Sequence, residues 1–148
     1  MTEIVEDSAA SSAARGFLGI VGGAYFVLAV WCAVAPTQTA AALGFDPRPG
    51  LGQSEYFTVY GGLQAALGFL FLLPLKKRRY LPLALLACVI VHGNLVLFRT
   101  ISLALYTDFP ATIYVLAGAE WLLFLCATAL WIALRQGAGA LADRVDQL

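Results

Sequence analysis

Charged side chains are scarce in this chain, and their scarcity excludes most soluble functions. Lys, Arg, Asp and Glu make up 12% of the 148 residues and apolar residues 61%, where a soluble domain carries about 25% and 45–50%. The nine basic and nine acidic residues cancel. No basic run has aromatic residues interleaved with it, so the pattern offers no surface for nucleic acid. There is a single histidine, His92, with no His or Cys partner at ligand spacing, which argues against a metal centre. The three cysteines, Cys32, Cys88 and Cys126, form no C-x-x-C pair. That removes thiol-redox chemistry, and they read as small apolar fillers. A glycine-rich phosphate loop, a nucleophile elbow and a paired-carboxylate motif are also missing. Nothing in the sequence names a cofactor.

What the chain has instead is long apolar runs. Four of them, residues 16–35, 55–75, 81–105 and 113–134, each reach the ~20 residues a helix needs to cross ~30 Å of hydrocarbon. Backbone groups in lipid must be satisfied within their own segment, so runs of this length mean helices. The sequence therefore predicts an all-α membrane protein, a four-transmembrane-helix bundle over residues 16–134. A disordered cytoplasmic tail at 1–15 and a second cytoplasmic tail at 135–148 flank it. The first run reads as retained rather than as a cleaved signal. Its leader (Glu3, Glu6 and Asp7 before Arg15) is acidic where a signal peptide is basic. Pro36 also stands just after the candidate cleavage site Ala33-Val34-Ala35, and the run is longer than a typical signal core.

Orientation follows from Lys76-Lys77-Arg78-Arg79, which closes a tight hairpin between Pro74 and Pro82. Positive charge stays in the cytoplasm, so this connection and both the N and C termini are expected inside. Arg15, Arg135 and Arg144 then lie inside as well, seven of the nine basic residues in all, with Arg48 and Arg99 on the outer side. The long outer connection, residues 36–54, holds Thr37-Gln38-Thr39, three alanines and Gly44. That predicts a short interfacial helix with a Thr cap and a Gly stop. Asp46-Pro47-Arg48-Pro49-Gly50 is turn material. Asp108 and Pro110 suit the start of the fourth span as an acidic cap and an early proline. Gly19 and Gly23, Gly61 and Ala65, and Gly62 and Ala66 are each four apart, a spacing that lets helix backbones approach. Packing within the bundle accounts for them; a homodimer face through Gly19 and Gly23 is the alternative.

The polar residues inside the spans are the candidate functional groups. An ionised acid near mid-bilayer costs roughly 2.5–3.5 kcal/mol even on the gentlest insertion scale, and Glu120 sits well inside the last span. Counting ~1.5 Å per residue inward from the outer ends puts Arg99 ~9 Å and Glu120 ~10 Å deep. Spans three and four are antiparallel neighbours, so these two residues meet at one level. Tyr60 falls at a similar depth, with Gln64 and then His92 deeper, and Tyr56, Tyr60 and Gln64 form one stripe on span two. One expectation is an interhelical ion pair supported by hydrogen bonds from Tyr60 and Gln64. The other is an outward-opening pocket in which Arg99 takes an anionic or carbonyl group, Glu120 orients it, and Tyr56, Tyr60, Trp121 and Phe124 form the walls. Glu55 stands at its mouth. His92 reads as a neutral hydrogen-bonded residue before a proton relay. Asn94, on the opposite face of that helix, is expected to bond across to a neighbouring helix.

Glu55, then Val59-Tyr60-Gly61-Gly62-Leu63-Gln64 and Leu67-Gly68, then Arg99 before Asp108-Phe109-Pro110, and Glu120 in the last helix form a pattern. It resembles a bacterial family of small four-helix membrane proteins classed as a domain of unknown function, similar in build to DoxX-like proteins. The similarity spans roughly residues 17–134. That family often has Arg two residues after the first Glu, where this chain has Phe57, so Glu55 lacks the partner the resemblance implies. The resemblance implies fold and a place in the bacterial cytoplasmic membrane, and it names no activity. Three functions fit these residues. An accessory or lipophilic-ligand-binding protein in the bilayer stands ahead of the other two. The second is a small enzyme using Glu120 or His92, beside Arg99, as acid or base on a quinone, isoprenoid or sterol-like substrate. The third is a proton-coupled transporter working as a dimer.

Overall fold

The computed structural model describes residues 9–145; the acidic leader with Glu3, Glu6 and Asp7 and the last three residues lie outside the described residues. Among the described residues there is helix and no strand. α1 runs Ala9–Val34, α2 Pro36–Ala42, α3 Leu51–Tyr56, α4 Gln64–Lys76, α5 Leu81–Leu105 and α6 Ala111–Val145. A π-helical segment, Phe57–Leu63, joins α3 to α4, so the stretch Leu51–Lys76 is one continuous rod. Among the described residues four helices, of 26 to 28 residues, are long and apolar enough to cross a membrane. Their outward faces agree: Ile20, Val34 and Val115 are 76%, 80% and 73% exposed. A soluble monomer does not leave apolar belts of this extent in water. The chain is a multi-pass helical membrane protein.

Both ends of the bundle are more helical than hydropathy alone predicts. α1 begins at Ala9, seven residues before the apolar run, because the Ala-Ser stretch forms helix readily. Ala14 and Leu18 are fully buried there, so residues 9–15 belong to the bundle rather than to a disordered tail. α6 likewise continues past 134 to Val145.

Consecutive spans are antiparallel. Gly19 lies by Leu75, Gly22 by Leu72 and Gly68, and Gly61 by Ala33, so α1 and α4 run in opposite directions. α5 and α6 pair in the same way, Gly93 beneath the Phe124 ring and Arg99 beside Glu120. α1 touches α5 and α6 as well as α4, and α4 touches α5, which closes the four rods into a bundle. One end carries the turn Lys76 to Tyr80, the start of α1 and the far part of α6; the other carries α2 and the α5–α6 turn.

The main core lies toward the basic end. Leu18, Phe71, Leu81, Leu85 and Cys88 are fully buried and pack with Ala14, Val21, Ala84 and Ala127. Its closest backbone approach is between Gly22 and Gly68: a Cβ on Gly68 would stand 3.0 Å from the Gly22 carbonyl oxygen and 3.1 Å from the Phe26 nitrogen. Toward the α2 end the core shrinks to Cys32, Ala40 and Tyr56, with Tyr60 against them.

α2 stops as expected and starts otherwise. Gly44 has φ of 79°, its N–H bonds the Ala41 carbonyl at 3.0 Å, and the Phe45 N–H bonds Ala40 at 2.9 Å. This is the Schellman end that glycine makes possible. No Thr caps the start. Pro36 opens the helix, where its missing N–H costs nothing, and Thr39 donates its hydroxyl back to the Ala35 carbonyl at 2.9 Å. Asp108 does not cap α6 either. It lies in the α5–α6 turn with φ of 63°, a left-handed conformation that Asp tolerates better than most residues, and Thr107 donates to its carboxylate at 3.2 Å.

Candidate functional site

The Arg99 guanidinium from α5 and the Glu120 carboxylate from α6 meet as the depth count predicts. Arg99 Nε donates to Glu120 Oε2 at 3.0 Å and Nη2 to Oε1 at 2.8 Å, a two-pronged pair of the kind the planar guanidinium favours. Glu120 is 6% exposed. The side chain of Arg99 keeps 25% of its surface, so the pair is anchored at the acid and open at the base. Nothing else among the described residues hydrogen-bonds to either group.

The supports expected from span two are not there. Gln64 Oε1 is buried without a hydrogen-bond partner. Tyr60 stands within electrostatic reach of Arg99 and makes no hydrogen bond to it. The physical reason is the π-helical segment, which covers Phe57–Leu63 and so includes the Tyr60-Gly61-Gly62 motif. A π-bulge adds a residue to the turn and changes the direction in which later side chains leave the helix.

Below the ion pair lies a second polar group of residues, centred on His92, which is 1% exposed. Its Nδ1 stands 2.9 Å from the Cys88 carbonyl oxygen, one turn back on α5. A carbonyl can only accept, so Nδ1 holds the ring hydrogen and Nε2 is free to accept. Tyr25 of α1 donates to that nitrogen at 3.4 Å. The rings of Tyr25 and Phe71 enclose the imidazole edge-on and tilted, with centroids at 5.8 and 6.2 Å. Glu120 lies within electrostatic reach of both Tyr25 and His92. Asn94 does not bond across to another helix: it faces outward and donates to the Ile90 carbonyl of its own helix at 2.8 Å.

A cavity of about 390 Å³ opens at the α2 end. Phe45, Tyr56, Tyr60 and Val59 wall it; Pro47 and Gly52 close one side, and among the described residues Asp46 and Glu55 are its only charged groups. The turn after α2 lies directly on α3, since a Cβ on Gly52 would stand 3.1 Å from the Pro47 backbone. Tyr56 and Tyr60 stack with centroids 4.5 Å apart, and Phe45 leans on both at 6.3 and 5.8 Å. Tyr56 donates its hydroxyl to Cys32 Sγ at 3.6 Å. A second cavity of about 340 Å³ lies on the other side of Tyr56, lined by Pro36, Thr37, Gln53 and Phe57 among others.

Of the six residues expected to bind a ligand, Glu55, Tyr56 and Tyr60 share the cavity, and Gln64, Arg99 and Glu120 do not line it. Trp121 and Phe124 do not wall it: Trp121 is 44% exposed on α6, and Phe124 packs over Gly93. The wall that sequence reading missed is Phe45. Its signal was the Gly44 stop, because the residue after such a glycine characteristically packs back on the chain.

Compared with models of protein families, with characterised proteins and with solved structures, the chain matches none of them.

Proposed function

We propose that this protein is a bacterial cytoplasmic-membrane protein, with both termini in the cytoplasm, that binds a lipid-soluble ligand in the outer half of its bundle. The observation behind the ligand reading is the aromatic cavity at the α2 end, its volume within the range of about 300–1,000 Å³ typical of small-molecule sites. Arg99 and Glu120 clamp α5 to α6 at the level of Tyr60, deeper in the same half of the bundle. The resemblance to small four-helix bacterial proteins and the basic turn at Lys76 to Arg79 support the location and the orientation.

Catalysis by Glu120 or His92 draws no support from this arrangement. Both oxygens of Glu120 are engaged by Arg99, and His92 has both ring nitrogens engaged and almost no exposed surface. The test of the ligand reading is native mass spectrometry of the full chain extracted in mild detergent. A lipid-soluble species should co-purify and be lost from Y56A/Y60A while the helical content is kept. Equal retention by the double variant would place the ligand elsewhere or dismiss it. For orientation, a membrane-impermeant thiol reagent applied to intact cells should label R48C and spare K77C; the reverse pattern would invert the topology.

A further inference from the structure

The cavity at the α2 end has charge of one sign. Asp46 and Glu55 both line it, both side chains are exposed, and neither forms an ion pair or hydrogen bond among the described residues. No basic side chain among the described residues lines it. Arg99, the cation at the level of Tyr60, already gives two donors to Glu120, so its charge is cancelled where it stands. Three aromatic rings, Phe45, Tyr56 and Tyr60, supply much of the remaining wall, with Pro47, Gly52 and Val59.

We infer that this cavity takes an organic cation, an ammonium or quaternary ammonium head on an apolar tail. The inference rests on the reading above that the outer half holds a lipid-soluble ligand, and it names that ligand's class. Ring faces carry negative electrostatic potential and attract a weakly hydrated cation, and carboxylates at the rim add long-range attraction. An anion meets repulsion from both kinds of group. A small inorganic cation meets too few ligands: among the described residues no three His, Cys, Asp or Glu side chains converge. The tail has a path. Val59 lines the cavity and Leu63 stands one turn further along the same helix; they are 43% and 56% exposed toward what the apolar belt marks as lipid. An amphiphile can therefore seat its head among the rings and lay its chain along that face.

The experiment titrates the full chain, in neutral maltoside micelles, with octyltrimethylammonium, octanol and octyl sulfate, each followed by calorimetry. The cation should bind about tenfold more tightly than octanol, the size expected for one desolvated cation–ring contact with a carboxylate nearby. D46N/E55Q alters only exposed side chains, so its fold is safe; it should erase the preference for the cation over octanol. Y60L keeps an apolar wall but removes a ring face, and should cut the cation's affinity roughly fivefold. Tetramethylammonium separates two sources of the same chemistry. Binding as tight as that of the long-chain probe indicates a free amine, and much weaker binding indicates a membrane amphiphile. Octanol or octyl sulfate binding the wild type as tightly as the cation overturns the cation assignment and leaves the lipid-soluble ligand standing. Absence of saturable binding by all three probes overturns both.

Discussion

The two halves of the bundle are built on different principles. Toward the basic end, helices meet through a dry core of Leu18, Phe71, Leu81, Leu85 and Cys88, with Gly22 and Gly68 letting α1 and α4 nearly touch. Toward the α2 end, the buried apolar cluster is three residues, and polar contacts replace packing, the Arg99–Glu120 pair and the Tyr56–Cys32 hydrogen bond, beside a cavity lined by aromatic rings. Lipid tails are as apolar as the side chains, so helix association in a membrane depends on close packing and on interhelical polar bonds. One half of this molecule relies on the first and the other on the second. The half that gives up packing density is the one left with room for a ligand.

The sharpest way to break that contrast is to remove one charge from the pair. Arg99→Gln leaves Glu120 nearly buried with no counter-charge and should cost about 3–5 kcal/mol of stability, the range for breaking a buried pair. Glu120→Gln should cost less. The arginine left behind is partly exposed and has a long stem that can carry its head toward the membrane surface. The double variant should recover most of the loss. Melting in detergent, followed through the reactivity of the buried Cys32 and Cys88 thiols, reads all three. A double variant no better than Arg99→Gln alone would mean that the α2 end is not held by this pair.

Next in size is a ring at each end. Phe71 has no exposed surface, whereas Phe45 is 47% exposed and lines the cavity. Phe71→Ala should lower stability by about 3 kcal/mol, the low end for a buried aromatic, because the tails that would solvate an unpacked ring soften the transfer part of the cost. Phe45→Ala should cost under about 1 kcal/mol, in keeping with a half-exposed side chain. Equal melting shifts for the two would show that the α2 end is as tightly packed as the basic end.

Sequence reading reached the four spans and the ion pair because both depend on counts along the chain: length against bilayer thickness, and depth against rise per residue. It failed where a polar side chain had a choice of partner. Thr39 and Asn94 each turn back to a carbonyl four residues earlier, at Ala35 and Ile90. That carbonyl is always within reach, and a neighbouring helix is so only at the right rotation. The π-helical segment was equally illegible. Nothing in the composition of Phe57–Leu63 announces an extra residue in the turn, yet it decides that Tyr60 lines the cavity and that Gln64 misses the ion pair.

The glycines show the same limit and give the smallest test. Spacing by four singled out Gly19 with Gly23, Gly61 with Ala65 and Gly62 with Ala66. Gly19 and Gly61 do lie against Leu75 and Ala33, but the closest crossing uses Gly22 and Gly68, and Gly23 and Gly62 meet nothing. Spacing tells which glycines share a face and leaves open which face meets a partner. Gly68→Ala would place a Cβ against backbone atoms of Gly22 and Phe26, which cannot rotate away, so α1 and α4 must separate. A loss of about 1–3 kcal/mol follows, the usual cost of overpacking. Gly62→Ala and Gly23→Ala meet nothing within 4 Å inside the molecule. Each should leave stability unchanged or raise it by up to about 1 kcal/mol, since alanine is the better helix former. If either one instead destabilises, and does so more at high protein concentration than at low, the face it lies on packs against a second copy. The contrast between a packed end and an open one would then hold for the single chain and not for the assembly.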